Sequence, residues 1–149
     1  MIKNYTSTVP VQRSLAHIEE RLVKHGARST VKTYDDKGNI EAFCFVLIIN
    51  DKEVPFKLPA RVANVEKVLI KQVVRKKAET LLRVHDQAER TAWKLVSDWV
   101  DIQLSLVELG QVEIMEVLLS YVYDPKNKCT LFERYKENWY KLISDSTSR

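Results

Sequence analysis

The chain has 149 residues, 45% hydrophobic and 30% charged, with three glycines and four prolines. That suffices for one domain with a real core and leaves little material for linkers. A net charge of +4 permits nucleic-acid contact without demanding it. No apolar run approaches a membrane span and no apolar leader opens the chain, so an intracellular, cytoplasmic protein with no membrane partner is expected.

The first helix is predicted from Val11 to His25. Val11, Leu15, Ile18 and Leu22 share one face at steps of four, three and four. Thr8 is its expected cap, Pro10 falls in its first turn and Gly26 stops it.

Three strands follow. RSTVKTYD is β-leaning, and DDKGN at 35–39 reads as a turn. EAFCFVLII is apolar without alternation, which predicts a middle strand covered on both faces by the flanking helices. NDKE at 50–53 turns the chain again. VPFKL alternates, with Val54, Phe56 and Leu58 on one side. Pro55, which has no amide to donate, places this strand at an edge. Cys44 lies in the apolar run and Cys129 in a polar stretch, so neither a disulfide framework nor a zinc pattern is present.

Beyond LPAR a helix is predicted to near Val84, with Lys67, Lys71 and Arg75 at i, i+4, i+8 on one face. A new helix is expected at Asp86, which with Glu89 resembles a capping pair, running from Gln87 to Leu109 and stopping at Gly110. Within it Ala88, Ala92, Leu95, Trp99, Ile102, Leu106 and Leu109 repeat at alternating steps of four and three, a packing stripe. Trp93 lies off that stripe beside Arg90 and Lys94, which suits a surface tryptophan. EIMEVLLSYVY is a short helix and DPKNK a loop. TLFE opens a last helix with Thr130 and Glu133 as a capping box; Phe132, Tyr135, Trp139 and Leu142 are expected to face inward and Tyr140 outward. A flexible tail is expected over 145–149. The predicted fold is therefore a single α+β domain over 1–149: an N-terminal helix, a three-stranded antiparallel meander and a predominantly helical C-terminal half.

ERTAWKLVSDWVDIQLSLVELG, preceded by PFKLPARV, resembles a widespread set of uncharacterised small proteins of bacteria and their phages or mobile elements, over most of the chain. The resemblance implies a bacterial or prophage setting and no mechanism.

Charge is segregated. Residues 61–94 carry nine Lys and Arg against four acids, while 95–124 carry six acids and no Lys or Arg. No nucleophile elbow, glycine-rich phosphate loop or HExxH is present, and neither catalytic residues nor a cofactor nor a metal is expected. His85 and Glu89 meet only if one helix runs through both. The function expected is non-catalytic binding of DNA or RNA backbone by a basic helical face of Arg61, Lys67, Lys71, Arg75, Lys76, Lys77 and Arg83. One alternative is a protein-interaction or self-assembly module, docking on a host or self protein through Trp93, Arg90, Lys94 and Tyr140. A second is an enzyme with a dispersed site.

Overall fold

In the structure, a computed structural model, residues 1–147 are described, the side chains of Tyr140, Leu142 and Thr147 excepted. Helix α1 (Val11–Lys24) begins at Pro10, without a side-chain cap from Thr8, and buries Ser14, Leu15, Ile18 and Leu22. It ends as the glycine predicted. Gly26 adopts φ +96°, its amide reaches the Val23 carbonyl, and the Ala27 amide reaches Leu22.

Strands β1 (Ser29–Tyr34), β2 (Ile40–Ile49) and β3 (Lys52–Pro59) form an antiparallel meander in sequence order. The Asp35 carboxylate accepts the amides of Lys37 and Asn39, both at 2.9 Å, and fixes the first turn. Ile49 pairs with Lys52 across two residues with positive φ, Asn50 and Asp51. That is the tight hairpin geometry whose twist matches the strands, and Asn and Asp tolerate it well.

Phe43, Phe45 and Leu47 of β2 point with Phe56 and Leu58 of β3 into the core. The Phe45 and Phe56 rings stack at 5.1 Å. The opposite face of β2 carries Ala42, which is buried, and Cys44, Val46 and Ile48, none of them fully buried. The expectation of cover on both faces is thus corrected. Residues of α1 and α3 pack with Phe43, Phe45 and Leu47, and the other side reaches solvent through Val31 and Ile48. The run looked doubly buried because its outward residues are also apolar.

The helical half departs most from the sequence reading. Helix α2 (Val62–Ile70) stops at Lys71, and α3 (Ala78–Glu108) runs unbroken for 31 residues through His85 and Asp86. The interruption expected at Asp86 lies instead at 71–77. Lys67, Lys71 and Arg75 repel one another at helical spacing, and the β-branched Val73 and Val74 extend helix poorly. No Gly or Pro interrupts 78–108. A mid-helix Asp costs only tenths of a kcal/mol, roughly, less than the packing of α3 on its neighbours returns.

Helix α3 buries Ala88, Ala92, Trp93, Val100 and Leu104 against α1 and the sheet. Gly110, at φ +70°, ends it, with the Gln111 amide on the Leu106 carbonyl. Helix α4 (Ile114–Leu118) and a 3-10 turn (Leu119–Tyr121) lead to a small hairpin that the sequence reading missed, β4 (Tyr123–Asp124) with β5 (Cys129–Thr130). A bridge from Val122 to Phe56 covers part of the β3 edge.

Helix α5 (Leu131–Thr147) starts on the expected cap: the Glu133 amide donates to Thr130 Oγ1 at 3.2 Å. It reaches past Asp145, where a tail was expected. Phe132, Tyr135 and Trp139, expected to face inward, are about half exposed; α5 packs on the 3-10 turn and β5. The Leu142 side chain lies outside the described residues. No helix among them is long and apolar enough to cross a membrane.

Candidate nucleic-acid interface

Helices α2 and α3 form an antiparallel pair whose connection is the segment 71–77. A clip ties the pair together away from that tip. His85 Nδ1 lies 3.1 Å from Glu66 Oε2 on α2, and Nε2 lies 3.1 Å from Glu89 Oε1 one turn on. Both partners are carboxylates, so both hydrogen bonds are complete only when the imidazole carries two protons. The hydrogen bond to Glu66 is the largest of the effects that raise the His85 pKa above 6.5; partial burial opposes them and loses. The clip is not a metal centre: the carboxylates sit on opposite ring nitrogens and do not converge. Among the described residues no three His, Cys, Asp or Glu side chains are grouped to hold an ion.

Beside the clip runs a groove of about 1000 Å³ between the β1–β2 turn and the helix pair, lined by Asp35, Lys37, Arg61, Glu66, Leu81 and His85 among others. Carboxylates and cations mix on its walls, so it carries no single sign of charge.

The tip is different. Lys67, Lys71, Arg75, Lys76, Lys77 and Arg83 are all exposed, and none makes an ion pair among the described residues. Lys71 caps α2, Arg75 and Lys76 lie in the connection, and Lys77 caps α3. The basic helical face expected from the sequence is therefore a basic loop with one flanking residue on each helix. Arg61 stands apart at the other end of α2, in a left-handed conformation with φ +51°. Val74, at the tip, is 98% exposed between the cations.

The acidic segment does not neutralise this loop. Asp101 pairs with Arg21 and His17, and Glu108 with Arg21 and His25, all from or next to α1. Asp98 takes Lys94 at 2.5 Å, Asn4 at 2.8 Å and Lys3 at 3.9 Å. Burial alone would raise the Asp98 carboxyl; the hydrogen bonds from Lys94 and Asn4 outweigh it and hold the pKa below the usual carboxylate value. Asp124 lies 4.0 Å from Arg134. Of residues 61–94, only Lys94 takes part in these pairs.

The other predicted patch is dispersed. Trp93, expected at the surface, is 1% exposed and belongs to the core. Arg90 donates to the Ser7 carbonyl at 3.3 Å and to Gln87 Oε1 at 2.7 Å, holding the N-terminal segment on α3. Lys94 is spent on Asp98. The Tyr140 side chain lies outside the described residues. Sequence reasoning also missed Glu66 as a partner of His85; the only available signal was the i,i+4 spacing of His85 and Glu89.

No family model, curated protein or solved structure matches the chain.

Proposed function

We propose that the protein is a non-catalytic binding protein that contacts the phosphate backbone of DNA or RNA through the loop 71–77 and the flanking Lys67 and Arg83. The observation that carries this reading is the cluster of exposed cations without carboxylate partners among the described residues, while Asp98, Asp101, Glu108 and Asp124 of the acidic segment pair with groups outside that cluster. Long, mobile Lys and Arg side chains on a projecting connection suit a backbone that offers a line of charges and little shape. Each phosphate neutralised releases condensed counterions, the main source of affinity in such contacts. The contact proposed is weakly sequence-specific, since phosphates carry no sequence information. The bacterial or mobile-element setting implied by the resemblance goes with this reading.

The test is binding of labelled single- and double-stranded DNA and RNA by the native chain and by a Lys71→Glu, Arg75→Glu, Lys76→Glu variant, with anionic lipid vesicles in parallel. Loss of nucleic-acid binding in the variant supports the reading. Equal binding by both chains overturns the residue assignment. Binding to vesicles alone overturns the nucleic-acid reading and points to a membrane surface engaged by Val74 and its cationic neighbours.

A further inference from the structure

The histidine clip and the basic tip are built on the same two helices. Glu66 directly precedes Lys67 on α2, and His85 follows Arg83 by two residues on α3. By helical rise, Glu66 lies about 7 Å along the axis from Lys71, and His85 about 12 Å from Lys77. The Debye length is roughly 10 Å at 0.1 M salt, so a charge gained or lost at the clip is felt at the tip.

The clip has two charge states. With both ring nitrogens protonated, one cation sits between two carboxylates, and the group carries one net negative charge. With one proton gone, one of the two 3.1 Å contacts sets a ring lone pair against a carboxylate, and the group carries two. The side chains of His85, Glu66 and Glu89 are 32%, 26% and 25% exposed, so the ring exchanges its proton with solvent. The other charged groups around it are Asp35, Asp36 and Lys37 of the β1–β2 turn, Glu41 of β2, Arg61 before α2, and Asp86 and Arg90 on α3. Asp35 is engaged by its own turn and Arg90 by Ser7 and Gln87. Among the described residues, Glu66 and Glu89 are the side chains that hydrogen-bond the ring.

We infer that the clip is a proton-sensitive control on the basic loop: protonated His85 favours the phosphate contact, and its deprotonation weakens it. This rests on the nucleic-acid reading and adds its regulation. Two effects act in the same direction. Deprotonation leaves one more negative charge beside the loop, which repels phosphate. It also weakens the tie between the helices. Helix α2 has nine residues, of which Leu69 is buried, so losing the tie leaves Lys67 and Lys71 less firmly held. Ordering them again on binding costs affinity.

The sign follows from the ring's environment. His85 is raised above 6.5, chiefly by the hydrogen bond to Glu66, so binding is strongest below that value and weakens as pH climbs through the folded one. Coupling is reciprocal: bound nucleic acid holds the His85 proton more tightly by the same factor.

The test titrates labelled single-stranded DNA with the native chain, His85→Gln and Glu66→Gln at about pH 6 and about pH 8.5, in about 50 mM salt. The His85 imidazole of the native chain is followed by NMR over the same pH range, with and without DNA. Native affinity is expected to fall about 2–5-fold between the two pH values. His85→Gln is expected to lose most of that fall, and Glu66→Gln to bind more tightly than the native chain at the higher pH. The His85 midpoint is expected to rise by about 0.3–0.7 pH units with DNA bound, the same factor seen from the other side. A midpoint that DNA leaves unmoved overturns the inference, and it is read on the native chain, whatever the variants do. Equal pH dependence in the native chain and a folded His85→Gln overturns it too, with the nucleic-acid reading intact. No binding by the native chain at about pH 6 overturns that reading, and the control with it.

Discussion

The Arg21 guanidinium on α1 sits 2.9 Å from the Asp101 carboxylate on α3, and its other end lies 3.1 Å from Glu108. One largely covered cation thus joins two acids two turns apart. Through this contact, α1 meets two of the acids of the segment 95–124 with a cation that is not drawn from the basic loop. Replacing Arg21 with alanine is expected to lower stability by about 1–2 kcal/mol, a modest figure because both acids are partly exposed. A urea unfolding midpoint that moves with an unchanged slope would measure it. An unmoved midpoint would show that the pairing contributes nothing.

The tryptophans of α3 have different tasks. Trp93 fills the core and Trp99 borders an open cleft. Trp93→Ala is expected to cost about 3–5 kcal/mol, the range for removing a large buried ring, and Trp99→Ala distinctly less. Denaturant titrations of both variants compare them directly. Equal costs would contradict the assignment of core and cleft.

The sheet and the first helix were legible because their signals are local. Turn residues at 35–39 and 50–51, Gly26 and the spacing of Leu15, Ile18 and Leu22 each act within a few residues. The direction in which Trp93 faces was not legible. The apolar content of α3 extends round much of its girth, so two stripes compete, and only packing on α1 and the sheet chooses between them. The break at 71–77 was missed because apolar spacing continues through Val73, while the charge repulsion that ends α2 leaves no mark in that pattern. The cations of the candidate interface were all identified from the sequence. Their lack of partners depends on where Arg21 and Lys3 fall in space.

His85 makes stability depend on pH. Its pKa is raised in the folded chain, so the clip contributes fully below the unfolded value of about 6.5 and is lost as pH climbs through the folded value. Glu66 and Glu89 face the ring directly, and Asp35, Asp36, Glu41, Lys37 and Arg61 line the groove beside it. The melting-temperature difference between the native chain and His85→Gln is expected to be largest near about pH 6 and to shrink by about pH 9. A difference that is constant or grows with pH would contradict the clip.

The loop should be separable from the fold. Glu at Lys71, Arg75 and Lys76 replaces exposed side chains that make no ion pair among the described residues, so stability is expected to stay within about 0.5 kcal/mol of the native chain. Thermal unfolding of the variant checks this. A large loss would mean that the cations hold the α2–α3 pair together and are not reserved for a ligand.

The most direct measurement is fluorescence anisotropy of labelled DNA and RNA with the native chain, titrated from roughly 50 to 300 mM salt. Affinity is expected to fall with a log–log slope of about −3 or steeper, as several phosphate contacts at the 71–77 loop require. Absence of binding at the lowest salt, or binding indifferent to salt, would contradict a backbone contact made by these cations.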